Sequence, residues 1–263
     1  MASRQQIMVS LVFLLSSLGV CFAQRQADLR PIPLLDPAQA ESEGRSLVAS
    51  LLAQKPAQSI TNNGVLKIRQ ADGKQCEVPV RFEIVSTATN WLSLYETTNS
   101  AAGPNGMKLA ITHSEGLPNQ YLVCESSAWT SNQGVMRSLM GSETLIPFAG
   151  SDFFAADLGL GFLHWPGQHL LKKEMRRGQS CNVLESSNPQ PDPGGYSRVV
   201  SWIDIETGGI VHADAYDLHN QILKQFDPAE FKKIHGQYQL EAMEIRNRKT
   251  DSRTRFEFNL KEE

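Results

Sequence analysis

From Ile60 onward the apolar residues of this chain recur at every second position, a period that suits strands and not helices. Val78, Val80, Phe82 and Ile84 alternate with Pro79, Arg81 and Glu83, as a strand with one buried face requires. Thr254, Phe256, Phe258 and Leu260 alternate in the same way with Arg253, Arg255, Glu257 and Asn259. Asp72-Gly73 marks a hairpin turn between Val65–Gln70 and the strand of Val78 to Ile84. Further strands are expected over Asn90–Thr97, Met107–His113, Gln120–Ser126, Cys181–Glu185, Ser197–Asp204, Ile210–Asp217, Gln221–Phe226, Ile234–Asn247 and Arg253–Leu260. Connections as short as Glu206-Thr-Gly-Gly209 and Asp217-Leu-His-Asn220 imply antiparallel hairpins. The result is a meander of about ten or eleven strands without a strand–helix–strand rhythm.

Two segments depart from that period. Ahead of the strands, Asp36 is placed to cap a helix that has Pro37 in its first turn, and Glu41 and Glu43 suit the positive end of its dipole. Leu47, Val48, Leu51 and Leu52 form its apolar stripe, and Pro56 ends it. Midway, Ser151-Asp152 is placed to cap a helix over roughly Phe153 to Trp165. That segment is very apolar (Phe153, Phe154, Leu158, Leu160, Phe162, Leu163, Trp165), yet Gly159 and Gly161 weaken it as a helix. Asn188 to Gly195 reads as a loop.

The N-terminus reads as an export signal. Arg4 is followed by an apolar run from Ile7 to Val20, shorter than the roughly 20 residues of a spanning helix. Cys21-Phe22-Ala23 offers small residues for cleavage after Ala23, with lipid attachment at Cys21 as the alternative. Gln24 to Leu35 follows as a leader strand or linker, since Pro31 and Pro33 prevent a helix. Cleavage would take the formal net charge from −3 to −4 by removing Arg4, and would leave Cys76, Cys124 and Cys181. Those three thiols allow one disulfide or none.

With 25 Lys plus Arg against 28 Asp plus Glu, the balance disfavours a nucleic-acid binder. The basic runs Lys172-Lys173 with Arg176-Arg177, and Arg246 to Arg255, read as solvated faces or as contacts to anionic headgroups. None of the six histidines falls in a metal-binding pair, although His212 and His219 flank one hairpin, so no metal or other cofactor is expected. No Gly-x-Ser-x-Gly elbow is present, and Ser151 is better explained as a cap than as a nucleophile. The pairs Asp204/Glu206 and Asp214/Asp217 flank turns, where Asp bonds its own backbone. No catalytic constellation is visible, so a hydrolase built on an unrecognised Ser/Asp/His set is the least supported reading.

The order of elements and a series of local motifs carry a family resemblance. The motifs are Gly150-Ser-Asp-Phe153 with Asp157-Leu158, Cys181-Asn-Val-Leu-Glu185 and Tyr196-Ser-Arg-Val-Val-Ser-Trp-Ile-Asp204. Ala215-Tyr-Asp217, Met243-Glu-Ile-Arg-Asn247 and the Thr250 to Thr254 stretch complete the series. Together they resemble the LolA-like periplasmic lipoprotein-carrier superfamily, in its outer-membrane lipoprotein-sorting branch. The resemblance implies an α+β fold: an unclosed, strongly curved antiparallel β-barrel in one domain after the signal peptide, with helices over the concave face. It also implies a non-enzymatic carrier that holds lipid or the acyl chains of a lipoprotein, touches membranes transiently, and exchanges with an inner-membrane transporter and an outer-membrane acceptor. On this view Phe153, Phe154, Leu158, Phe162 and Trp165 form a lid, while Val80, Phe82, Ile84, Trp202, Phe256 and Phe258 line the concave face. The competing expectation is a filled core, in which the same apolar segment plugs the sheet and the protein acts through protein partners.

Overall fold

The computed structural model describes residues 36–56, 58–97, 106–125, 136–234 and 237–259. The expected signal peptide over residues 1–23, Cys21 within it, the stretch from Gln24 to Leu35 and Leu260 lie outside the described residues. Thirteen strands form one antiparallel sheet. They are β1 (Ile60–Arg69), β2 (Gln75–Ser86), β3 (Asn90–Thr97), β4 (Met107–Ser114), β5 (Gln120–Glu125), β6 (Arg137–Leu139), β7 (Gly167–Arg176), β8 (Gln179–Ser187), β9 (Arg198–Asp204), β10 (Ile210–Tyr216), β11 (Ile222–Ile234), β12 (Gln237–Asn247) and β13 (Ser252–Phe258). Their order, β6-β5-β4-β3-β2-β1-β13-β12-β11-β10-β9-β8-β7, is a meander whose two ends in sequence, β1 and β13, pair at the centre.

That order has a geometric consequence. The edge strands β6 and β7 are neighbours in sequence, so residues 140–166 must cross the sheet from one edge to the other. In crossing they touch both halves. Asn119, just before β5, donates to Gly159 O at 2.6 Å, while Asp157 Oδ2 lies 3.6 Å from Lys224 Nζ on β11. β5 and β11 are seven strands apart in the order. In a flat sheet that separation would be about 34 Å at about 4.8 Å per strand. The sheet therefore curls strongly around the crossing segment without closing.

The edges are protected in different ways. β6 has only three residues, and β7 exposes Lys172 and Lys173 along its second half. The first half of β7 lies against α1 (Pro37–Leu52). A Cβ on Gly44 would sit 2.5 Å from Gln168 O, so the helix reaches this distance only because residue 44 is glycine. Val48, Leu47 and Leu51 then pack over Leu184 and Ile203 on the inner face. Asp36 makes no side-chain cap; Glu41 accepts from Arg45 one turn on, and Glu43 accepts from Gln39 one turn back.

The crossing segment is not the helix that its apolar content suggests. One turn, α2 (Ala155–Leu158), gives way to Leu160 at φ 50° and a 3-10 turn over Gly161–His164. Tyr121 packs against this break: its hydroxyl would lie 2.5 Å from a Cβ on Gly159, so the close approach requires glycine there. Nor do Ser151 and Asp152 cap this turn. Asp157 does, accepting from Phe154 N at 2.8 Å.

Two strands beyond the expected set are the short β6 and the Lys-rich β7, whose polar second half hides its alternation. Pro228 also breaks the pattern on paper, but it sits at a register shift inside a continuous β11. The basic runs carry partners: Lys172 with Glu174, Arg177 with Asp227, Arg246 with Glu244, and Arg255 with Glu230 and Glu257. No disulfide joins Cys76, Cys124 or Cys181. Among the described residues, no helix is long and apolar enough to cross a membrane.

Candidate functional site

The inner face of the curled sheet divides into two regions. Over β1–β5 and β13 it carries large side chains, and the crossing segment fills what remains. Phe82 meets Tyr95 at 4.9 Å between ring centroids, and Phe256 meets Phe258 at 4.4 Å. Phe148, Phe153 and Leu158 come down from the crossing segment into the same cluster. Val80, Phe82, Ile84, Phe256 and Phe258 are all buried in this packing, and none lines either cavity described next.

Over β9–β12 several inner positions are smaller or polar, Val199 and Ser201 on β9, Ala213 and Ala215 on β10 and Lys224 on β11, beside the larger Phe226 on β11 and Ile245 on β12. Here the crossing segment leaves a chamber of about 40 Å³. Leu160 and Phe162 roof it, Tyr196 and Ile210 close its sides, and Asp157 and Lys224 supply its polar groups. A second cleft of about 290 Å³ adjoins it, lined by residues such as Asn119, Tyr121, His164, Trp165, Asn188 and Asp192. That volume is at the lower edge of the roughly 300–1,000 Å³ typical of small-molecule sites. Asp157, Phe162 and Tyr196 belong to both spaces and form the partition between them.

The expected lid residues are thus divided. Phe153 and Leu158 are core residues of the filled half. Phe154 packs 5.7 Å from Tyr196, Phe162 forms part of the partition, and Trp165 lines the cleft. Trp202 does not face the concave side. It pairs with Val183 and His212 on the opposite face, where its indole N–H donates to Glu174 and Arg176 stacks 4.1 Å above its ring. The inner phase of β9 belongs to Val199, Ser201 and Ile203 instead. Sequence reading missed Leu160, Tyr196, Ala213, Ala215 and Lys224. Lys224 left one trace: it shares the phase of Phe226, where an apolar residue is expected.

The polar groups of the chamber are buried and tightly engaged. Lys224 is 3 % exposed. Its ammonium donates to Asp152 O at 2.6 Å and lies over the Phe154 ring. Asp157 Oδ2 accepts from Phe154 N at 2.8 Å and from the Tyr196 hydroxyl at 3.1 Å. Burial dominates both titrations: it lowers the Lys224 pKa and raises that of Asp157, with their mutual attraction opposing each shift. Burial also raises Tyr196 well above the ordinary phenol value, so it stays a donor. Asp152 fastens the crossing segment to β13 by accepting from the hydroxyls of Ser252 and Thr254. Ser201 Oγ, on the inner face, is buried with no hydrogen-bond partner among the described residues.

Ser151 is buried and accepts from Phe153 N in its own turn, which removes the leading nucleophile candidate. His212 does not meet His219. It is held on the outer face between Asp227 and Asp214, at 2.7 and 2.9 Å. Asp214 is therefore an ion-pair residue inside β10 and not a turn residue, whereas Asp204 and Asp217 do bond the turn backbone that follows them. Among the described residues no group of three or more His, Cys, Asp or Glu is placed to hold a metal ion.

The profile of a family described as an uncharacterized protein matches residues 128–261, half of the chain. No curated protein matches the sequence. Solved structures do match the fold. A DUF1329 family protein from Desulfovibrio piger is 20% identical, with a TM-score of 0.66 over 84% of this chain and 91% of that one. A putative outer membrane lipoprotein-sorting protein domain from Vibrio parahaemolyticus is 16% identical, with a TM-score of 0.67 over 84% and 92%. A LolA superfamily protein from Nitrosomonas europaea is 15% identical, with a TM-score of 0.53 over 86% and 92%. With a family match across half of its length, the chain belongs to that uncharacterized family, and it shares its fold with the LolA superfamily protein and the lipoprotein-sorting domain over more than four-fifths of its length.

Proposed function

We propose that the protein is a non-enzymatic periplasmic carrier that holds an acyl chain, of a lipid or a lipoprotein, for delivery toward the outer membrane. The observation that carries this reading is an apolar chamber on the inner face of β9–β12 beside a larger cleft between the crossing segment, the start of β5 and the loop 188–196, with Asp157, Phe162 and Tyr196 lining both. Movement of Phe162 and Tyr196 would join them into one groove beside the crossing segment.

The modest size of the two spaces suits a carrier. Wholly burying a chain of about 16 carbons would contribute on the order of 13 kcal/mol at about 0.8 kcal/mol per methylene, too much for ready release. Partial burial leaves an affinity that opening of the crossing segment can offset. The reading includes removal of residues 1–23 on export. It also includes transient exchange with an inner-membrane donor and an outer-membrane acceptor. The fold shared with the putative lipoprotein-sorting domain of Vibrio parahaemolyticus is in keeping with it.

Native mass spectrometry of the protein purified from membrane-containing cells is expected to show bound lipid, and Phe162→Ala to increase the bound fraction. A clean unliganded mass, together with no binding of an apolar fluorophore, would overturn the reading.

A further inference from the structure

The chamber holds a charged pair, Lys224 and Asp157, that an acyl chain does not need. Burying such a pair strips both ions of their hydration, and hydrophobic replacements of buried pairs are often more stable. Lys224 is nevertheless held there by modest contacts: one carbonyl, one aromatic face, and a carboxylate at 3.6 Å, beyond hydrogen-bond reach. That carboxylate, Asp157, already accepts from Phe154 N and the Tyr196 hydroxyl. Asp157 is therefore the loosest of the three partners of the ammonium, and Lys224 borders the chamber.

We propose that Lys224 is the head-group site for a single-chain carboxylate, which enters head first and leaves its tail in the larger cleft. The inference rests on the acyl-chain reading and names its ligand class. Volume decides between anions. At roughly 10–15 Å³ per water-sized group, a chamber of about 40 Å³ takes about three such groups. A carboxylate, with three heavy atoms, fits that space; a phosphate bearing a glycerol does not. The carboxylate would replace Asp157 as the third partner of the ammonium, through a short charge-assisted hydrogen bond. The methylenes beyond it would displace Phe162 from the partition and run along Trp165.

The test compares dodecanoate with dodecanol on the full chain by calorimetry, with lysophosphatidylglycerol as the phosphate-headed control. Dodecanoate is expected to bind roughly tenfold tighter than dodecanol, the size of one charge-assisted contact. In the paired variant Lys224→Met with Asp157→Leu, which leaves no buried charge behind, the ratio is expected to fall to about one. Equal binding of acid and alcohol by the unmodified protein would overturn the inference and leave the acyl-chain reading standing. So would a preference that survives the paired variant, or tighter binding of the phosphate-headed lipid. Binding of none of the three would overturn both. The unmodified protein alone decides between the first outcomes, so the test does not depend on how well the variant folds.

Discussion

The two halves of the inner face are built on the same sheet and covered by the same crossing segment, yet one is solid and the other hollow. Over β1–β5 and β13 the inner positions are filled by Phe82, Tyr95, Leu109, Phe256 and Phe258, and Phe148, Phe153 and Leu158 descend among them. Over β9–β12 the same phase holds Val199, Ser201, Ala213, Ala215 and Lys224 around the chamber, with Ile203, Ile210 and Phe226 as its larger members. The chamber is therefore a product of side-chain size at a few alternating positions and not of the curvature, which both halves share. One half anchors the crossing segment, and the other gives it something to cover.

The sharpest way to break this comparison is to make the solid half hollow. Phe256 has no exposed surface, and Phe256→Ala is expected to cost about 3–5 kcal/mol in urea unfolding. Phe162→Ala, at a half-exposed position in the other half, is expected to cost only about 1 kcal/mol. Comparable losses at the two positions would mean that the hollow half is packed as tightly as the solid one.

The buried pair tests the hollow half from within. Lys224→Met alone leaves Asp157 buried beside an apolar neighbour, at an expected cost of about 3 kcal/mol. The figure is at the low end for such pairs because Phe154 N and Tyr196 still serve the carboxylate. Adding Asp157→Leu is expected to recover most of that loss in the same unfolding measurement. A double variant as unstable as the single one would show that Lys224 matters chiefly through Asp152 O and the Phe154 ring.

These contrasts also explain what could be read from the sequence. The solid half was legible because size and period agree there: Val78 to Ile84 and Thr254 to Phe258 face inward as their alternation says. The hairpin at Asp72-Gly73 was equally plain, with Lys74 N bonded to Asp72 Oδ1. In the hollow half, size and phase disagree. On β9 the largest side chain, Trp202, faces outward and a serine faces inward, because the outer face has its own burial around His212. Phase cannot be chosen from residue size when both faces of a strand are covered. The crossing segment has the apolar content of a helix, but its contacts, such as the Tyr121 ring against Gly159, come from a distant strand that local sequence does not show. Of the lid residues, apolar character alone could not separate Phe153 and Leu158, which fill the core, from Phe162, which borders the cavities.

The smallest expected effect distinguishes the halves by pH. His113, stacked on Trp91 at 3.4 Å in the solid half, is pushed down to about 3 by burial, against an opposing hydrogen bond with Asn119. It stays neutral in the folded protein, so the unfolded chain gains a proton first as pH falls below about 6.5. Its contribution is complete above that value and is lost between about 6.5 and 3. His212 behaves in the opposite sense. Burial pulls its pKa down, but hydrogen bonds to Asp214 and Asp227 outweigh it and set the pKa above the ordinary value. Its contribution is complete below about 6.5 and is lost as pH rises through the raised value. Asp214 and Asp227 are held low by that same imidazolium despite their burial, so their share is lost only in stronger acid. In urea midpoints measured across pH, His113→Asn is expected to flatten the decline below about 6.5, and His212→Asn the decline above it. If both variants flatten the same arm, the two histidines share one environment, and the electrostatic distinction between the halves fails.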